Sequence, residues 1–331
     1  MNLIKSVFTF TTLLTVVISM VVTSCGVREK VTVLKISHSL DRTHSVHQGI
    51  VYMADKVYEK SNGLMRVEVY PSGQLGSQRE NVEMLQIGSL AMTMVSAAVM
   101  ENFAPSFKVF GLPYIFTDRE HEHRVWDGDI GKDIMTDGEE FWLRGLAFYD
   151  SGSRSFYTTN RPINHPDDLR GLKIRVMPSP SAVDMIRAFG GSPTPISWGE
   201  LYTALQGGVV DGAENNAPSF YLSRHYEVSK YYSLNEHTRI PDVLIISTKI
   251  WDNLTAQEQQ WLQEAAYESA VHQRVLWIES EKHSLKQLEE AGVNIIIPDK
   301  QPFIDRVQGM YSKFKEDENL YGLIKRIQAI Q

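Results

Sequence analysis

Arg175 stands in the run LKIRVM and Asn215 in the run VVDGAENN. Ile174 and Val176 flank the arginine, so a strand here turns the apolar pair to one face and the guanidinium to the other. A charge held that way in a folded core requires an anion beside it, because an unpaired buried charge is too costly. The planar guanidinium fork fits a carboxylate bidentately, which a lysine ammonium cannot do. The chemistry these residues could do is therefore recognition of an organic anion. Two structural readings compete with it: an arginine on an exposed strand face, and an ion pair with an Asp or Glu of the chain itself.

Groupings that would catalyse a reaction are poorly represented. No G-x-S-x-G elbow, HExxH pair or phosphate-cradling glycine motif occurs. Asp167 and Asp168 lie in a turn ahead of the arginine strand, where a structural role suffices. His121 and His123, in REHEH, lack a third ligand and sit in a charged helical context, so the expectation is a solvated helix face and no metal. His38, His44 and His237 are polar residues near predicted pocket edges, although a lone histidine is more often a satisfied structural residue. No cofactor is implied, and the chain reads as a binding protein more readily than as an enzyme.

The elements that position these residues alternate strand and helix. Residues 31 to 37 (VTVLKIS) read as a β-branched strand. Val46, Ile50, Met53 and Val57 fall at helical spacing, with a stop near Asn62 and Gly63. The strand MRVEVY closes on Pro71, Ser72 and Gly73. A short helix from about Arg79 to Ile87 ends at Gly88, and LAMTMVS returns as a buried strand. This order predicts parallel βαβ units and an α/β lobe. Ligands of open sheets sit beyond the carboxyl ends of the strands, which makes His38, Ser39 and Ser96 pocket candidates.

A second lobe repeats the logic. LKIRVM leads into a helix from about Ala182 to Phe189. Ser197 and Glu200 form a capping-box pattern opening a helix through Gln206. The strand VLIIS near residue 245 returns to the first lobe. Thr255 and Glu258 repeat the capping pattern and open a helix reaching towards Ala291. Some 35 helical residues would span about 50 Å at 1.5 Å per residue, more than one lobe needs.

The stretch PINHPDDLRGLKIRVMPSPSAVDMIRAFGGSPTPISWGELYTALQGGVVDGAEN resembles the solute-binding proteins of tripartite ATP-independent periplasmic (TRAP) transporters, of the DctP type. Three elements carry the resemblance in order and spacing: DLRGLKIRV, the GSPTPISWGELYTALQ segment beginning at Gly191, and V-D-G-x-E-N. Weaker similarity extends to YPSGQLGSQRE, FGLPYIF, HYEVSKYYSL and the long C-terminal helix, so it covers essentially the whole mature chain. The resemblance implies a two-lobed α/β fold with a ligand cleft between the lobes, braced by the long helix. It implies that Arg175 grips the carboxylate of an organic acid, that Arg154 at the start of R-x-x-x-T-x-N adds a second donor, and that Asn215 fixes orientation. It places Trp198 as a pocket wall, where an indole suits the C–H face of a sugar acid. It puts the loop before Gln78 at the cleft border and keeps His38, Ser39, Ser96 and His237 as candidate contacts. Glu80, beside Gln78, is expected to serve as a solvent-facing helix N-terminal residue.

The ends and the composition set the compartment. Residues 1 to 24 carry one charge, Lys5, ahead of an apolar run from Val7 to Val22. The run is short and closes on small residues, so it reads as a secretory signal and not a membrane span. Val22, Thr23, Ser24 and Cys25 resemble a bacterial lipobox, with Cys25 becoming the acylated first residue. Cys25 is the chain's single cysteine, so an exported fold has no disulfide and rests on its core. Loss of Lys5 moves the formal net charge from −7 to −8. An acidic chain without basic runs argues against nucleic acid or an anionic membrane surface as partner, and attraction of an anionic ligand must be local.

The expected organisation is a signal at 1–24, a first lobe of 31–151 with 241–280, and a second of 152–240 with 281–331. The expected function is an extracytoplasmic, lipid-anchored solute-binding protein that delivers an organic acid to TRAP membrane permease subunits. His38, Ser39, Gln78, Asn215 and Asn216 offer more neutral hydrogen-bonding groups than a small dicarboxylate requires. The run GAENNAPSFYLSRHYEVSKYYSLNEHT also looks like the hexuronate-binding branch, with glucuronate or galacturonate as ligand. Sialic acid, a keto-sugar acid and a C4-dicarboxylate are the alternatives. A secreted acid-sugar enzyme and a sensor component are the readings from other classes.

Overall fold

The computed structural model describes residues 31–330, so the expected leader and Cys25 lie outside the described residues. Two sheets organise them. The first has the order β2-β1-β3-β10-β4, from β1 (Thr32–Ser37), β2 (Met65–Tyr70), β3 (Met92–Ser96), β4 (Leu143–Tyr149) and β10 (Asp242–Ser247). The second has the order β11-β9-β5-β8-β6-β7, from β5 (Arg154–Thr158), β6 (Lys173–Val176), β7 (Ser192–Pro195), β8 (Gly212–Asn215), β9 (Tyr231–Thr238) and β11 (Asn294–Ile296). VLIIS therefore returns to the first sheet, as its apolar run suggests.

The sheets are mixed, with the expected parallel pairings beside antiparallel ones. β1 pairs β3 in parallel, and β6 pairs both β7 and β8 in parallel. β10 instead runs antiparallel to β3 and β4, and β5 antiparallel to β8 and β9. These two are the strands that enter from the other sheet. Each arrives without the crossover helix that would set it parallel.

The helices follow their sequence signals closely. α1 (Ser45–Lys60) buries Val46, Ile50, Met53 and Val57 on one face. α2 (Gln78–Ile87) opens on a capping box between Ser77 and Glu80 and closes on Gly88 at φ 87°, a left-handed position that glycine adopts without strain. α3 (Ala97–Met100) is a single turn, and α4 (Arg119–Asp127) and α5 (Asp129–Asp137) lead into β4. On the second sheet, α6 (Pro180–Phe189) is capped by Ser179 and α8 (Ala217–Leu222) by Asn216. The expected Ser197–Glu200 capping box does not form: Trp198–Glu200 is a 3₁₀ turn without a side-chain cap, and α7 (Leu201–Gln206) starts after it.

After the short α9 (Thr248–Trp251) comes α10, whose 35 residues, Ala256–Glu290, open on the Thr255–Glu258 capping box. Its Leu262, Ala265, Ala266 and Ala270 join the apolar cluster under α1 and the first sheet, and its Leu288 joins the cluster under the second. Buried Gln273 of α10 clamps the first crossing between the sheets: its Oε1 accepts from Asp150 N at 2.9 Å and its Nε2 donates to Asp150 O at 2.8 Å. α11 (Gln301–Ser312) packs on α6, and α12 (Glu318–Ala329) packs back on the 3₁₀ segment Pro105–Gly111 and on α5. A third apolar cluster contains Val95 and Phe148 of the first sheet together with Phe156, Ile174 and Val176 of the second. No helix of the described residues is long and apolar enough to cross a membrane.

Candidate ligand-binding site

A cavity of about 700 Å³ has walls from both sheets. From the first come Ser39 after β1, Gln78 at the start of α2, Ser96 at the end of β3 and Asp242 at the start of β10. From the second come Arg154, Arg175, Trp198 and Asn215. Seven of the nine residues singled out for binding from the sequence are thus brought to one cavity, while His38 and His237 are not among its walls.

Arg175 sits on β6 between Ile174 and Val176, both fully buried, and is itself 1% exposed. An exposed strand face is thereby excluded. Its Nε donates to Ile196 O at 2.8 Å, its guanidinium lies 5.9 Å from the Trp198 ring centre, and buried Nη1 has no hydrogen-bond partner. No Asp or Glu among the described residues pairs with it. Burial pulls its pKa down to about 10, as expected for a cation that its own fold leaves unpaired. Burial, with a contribution from the same cation, pushes His225 down to about 3.

Arg154 is satisfied from within. Its Nε and Nη2 donate to the two carboxylate oxygens of Glu214 at 2.6 and 2.9 Å, Nη2 also donates to Glu214 O at 2.8 Å, and Nη1 donates to Asn215 Oδ1 at 2.7 Å. Of the five guanidinium N–H groups these four bonds leave one. The antiparallel register of β5 on β8, which sets Ser155 opposite Asn215, delivers both partners to Arg154. That register needs Gly212, because a Cβ there would fall 2.5 Å from Tyr157 O. Burial alone would raise the Glu214 carboxyl, but Arg154 outweighs it and holds the group down at about 2. The sequence reading missed Glu214, since nothing in the spacing of DGAEN distinguishes a buried counter-ion from a solvated one.

The remaining walls are mostly neutral and polar. Asn215 Oδ1 accepts from Arg154 and from Asn216 N, so its amide N–H groups remain for other acceptors. Gln78 Oε1 accepts from Ser96 N at 3.0 Å across α2 and β3. Ser39 Oγ is buried without a partner. Asn216 caps α8 through Ser219 N at 2.8 Å. Glu80 is exposed and completes its capping box at Ser77 N, 2.7 Å, while also lining the cavity mouth. Asp242, which the sequence reading passed over, carries a carboxyl raised to about 7 by burial.

The histidines fill structural roles. His38 Nε2 meets His47 Nδ1 at 2.9 Å, its Nδ1 accepts from Leu40 N, and burial with His47 lowers its pKa to about 3. His44 caps α1. His237 stacks on Phe156 with ring centres 4.5 Å apart and sits 3.5 Å from Glu214 Oε2, behind the Arg154 pair. The solvated face expected of His121 is corrected: it is 3% exposed, with Nε2 at 2.9 Å from Ile327 O. The cause is α12, which packs back over this region. Glu122, His123 and Asp150 bring oxygen and nitrogen atoms within 4.8 Å of one another. Arg119 lies 3.2 Å from Asp150 and Arg239 lies 3.4 Å from Glu122, so arginines already supply the positive charge there. Asp168 has the structural role expected of it, accepting from Asn164 N and His165 N at 2.9 Å each.

Two α/β sheets that share a polar cavity, with an arginine in its wall that no described carboxylate pairs, suit a solute-binding protein. The chain belongs to the bacterial extracellular solute-binding proteins, family 7 (DctP), whose family model matches residues 36–317. Among solved structures, it is similar to a TRAP periplasmic solute-binding protein from Bradyrhizobium in complex with α/β-D-galacturonate, at 41% identity and TM-score 0.88, covering 89% of this chain and 99% of that one. A second, from Xanthobacter autotrophicus with bound β-D-galacturonate, is 38% identical with TM-score 0.88 over 90% of this chain and 100% of the other. A third, from Roseobacter denitrificans with bound β-D-glucuronate, is 35% identical with TM-score 0.88 over the same shares, 90% and 100%.

Proposed function

We propose that this chain captures a hexuronate, D-glucuronate or D-galacturonate, outside the cytoplasm and delivers it to the membrane permease of a TRAP transporter. The observation that carries the reading is Arg175, a guanidinium 1% exposed with Nη1 unpartnered at the cavity wall. A ligand carboxylate supplies the missing anion and accepts charge-assisted hydrogen bonds. Arg154 contributes its one remaining N–H, and Asn215 its amide. Ser39 and Gln78 serve the ring hydroxyls, with Trp198 against an apolar ring face. The ligands named for the three similar structures support the uronate class. His38 and His237 stiffen the wall from behind.

The lobes of the proposal are 31–151 with 241–280, and 152–240 with 281–331. They meet at the crossings β4 to β5 and β9 to β10, and α10 braces both. Closure over the ligand would exclude water, and the permease would select the closed form. Export by residues 1–24 and acylation of Cys25 would keep the protein at the cell envelope. The ligand reading is tested by thermal unfolding with added solutes. A ligand at one hundred times Kd adds about 2.7 kcal/mol of stability, which for a chain of this size raises the melting temperature by several degrees. Glucuronate and galacturonate should produce that shift and glucose should not. Equal shifts from glucose and glucuronate would remove the carboxylate anchor from the account.

A further inference from the structure

We propose that Asp242 reads a ligand hydroxyl and restricts the cavity to acids with a single carboxylate. The proposal rests on the uronate reading above and concerns a cavity wall contributed by the other sheet. Asp242 opens β10 on the first sheet, in register with Ser96 on β3 and Tyr149 on β4, whereas Arg175 comes from the second sheet. Its half-buried side chain lines the cavity and makes no hydrogen bond to any described residue. Arg154 is the cation that bears on it, and Arg154 is already held bidentately by Glu214. Asp242 is therefore a carboxyl supplied to the cavity without a protein partner.

Charge counting sets what can sit between these walls. Arg154 and Glu214 cancel, leaving Arg175 as a cavity-lining cation that no described carboxylate pairs. Arg79, at the mouth, is paired with Glu83 at 2.9 Å. One ligand carboxylate matches Arg175. A second would find Asp242 and no free cation, and like charges brought together at low dielectric exclude such a ligand. A hydroxyl suits Asp242 in either protonation state, donating to the carboxylate or accepting from the acid. Burial raises the group to about 7, so the charged form that turns away a second carboxylate dominates above neutrality, where the titration below is run. A sugar acid has a carboxylate at one end and hydroxyls at the other; a C4-dicarboxylate has carboxylates at both.

The test is calorimetric titration of the full mature chain, above neutrality, with D-glucuronate and with succinate, in the wild type and in Asp242→Asn. The amide keeps the shape and removes the charge. The expected result is a glucuronate affinity lower by about tenfold or more, the scale of a hydrogen bond to a charged group, with succinate binding strengthened. The preference for glucuronate over succinate then narrows by more than the glucuronate loss alone. A preference unchanged within about threefold, or an equal fall for both acids, overturns the proposal. Asp242→Ser, read the same way, serves if the asparagine variant does not fold. A wild type that prefers succinate overturns the uronate reading and this inference together. A wild type that prefers glucuronate, with Asp242 variants that keep the preference, overturns this inference alone.

Discussion

Arg154 and Arg175 lie two strands apart in one sheet, at 4% and 1% exposure, yet their surroundings differ completely. Arg154 holds a bidentate carboxylate, a backbone carbonyl and an amide oxygen, all from β8. Arg175 holds one backbone carbonyl and an indole face, with a buried nitrogen left over. Burial of a charge is expensive in both cases, so the difference lies in who supplies the compensation. Where the chain supplies it, the arginine is part of the architecture. Where the chain withholds it, the compensation is left to a group from outside, which is the ground for proposing a ligand anion at Arg175.

The comparison breaks most visibly at the paired arginine. Glu214→Ala leaves Arg154 as an uncompensated buried charge, and stability should fall by about 3–5 kcal/mol, measured by urea unfolding without ligand. A loss below 1 kcal/mol would mean that Arg154 does not depend on its internal partner. Glu101 sharpens the contrast as a buried charge with half its compensation. Its carboxyl accepts from Ser179 Oγ at 2.7 Å and Ser181 N at 3.1 Å, but has no paired cation among the described residues, and burial raises it to about 7. A carboxyl raised above its ordinary value contributes stability that is fully present below about pH 4.5 and lost as pH rises through 7. Relative to Glu101→Gln, the wild type should lose at most about 1.4 kcal/mol per pH unit across that window. A constant difference between pH 4.5 and 8 would contradict the raised value.

The smallest effect belongs to the unpaired arginine. Arg175→Met removes a charge for which the chain provides no partner and keeps much of the side-chain volume. The ligand-free protein should therefore be as stable as the wild type within about 1 kcal/mol, or more stable. A loss of several kcal/mol would reveal a structural partner for Arg175. A guanidinium hydrated in an open cleft would tolerate the same change. The burial of Arg175 changes the reason for tolerance while keeping the direction.

These contrasts separate what the sequence carries from what it does not. Element order, the αL stop at Gly88, the capping box at Thr255 and the length of α10 are local, and each is legible in a few neighbouring residues. Arg175 was legible because alternation with Ile174 and Val176 sets its face. Glu214 was not, because its role depends on a strand register 60 residues away from Arg154 in the chain. Asp242 was hidden at the edge of an apolar strand, where a charged residue also marks an ordinary strand end. His38 stands at a strand end as expected, yet it turns to His47, a contact made by the packing of α1. The Ser197–Glu200 pattern fits a capping box in sequence and is replaced by a 3₁₀ turn beside the cavity.

The claim at the centre is that Arg175 anchors the ligand's carboxylate through its fork. Calorimetric titration of D-glucuronate into Arg175→Lys tests it most directly, because lysine keeps the charge and loses the planar pair of donors. The account predicts an affinity lower than that of the wild type by about 1.5–3 kcal/mol, tenfold or more, with the ligand-free melting temperature little changed. An affinity equal to that of the wild type would contradict it.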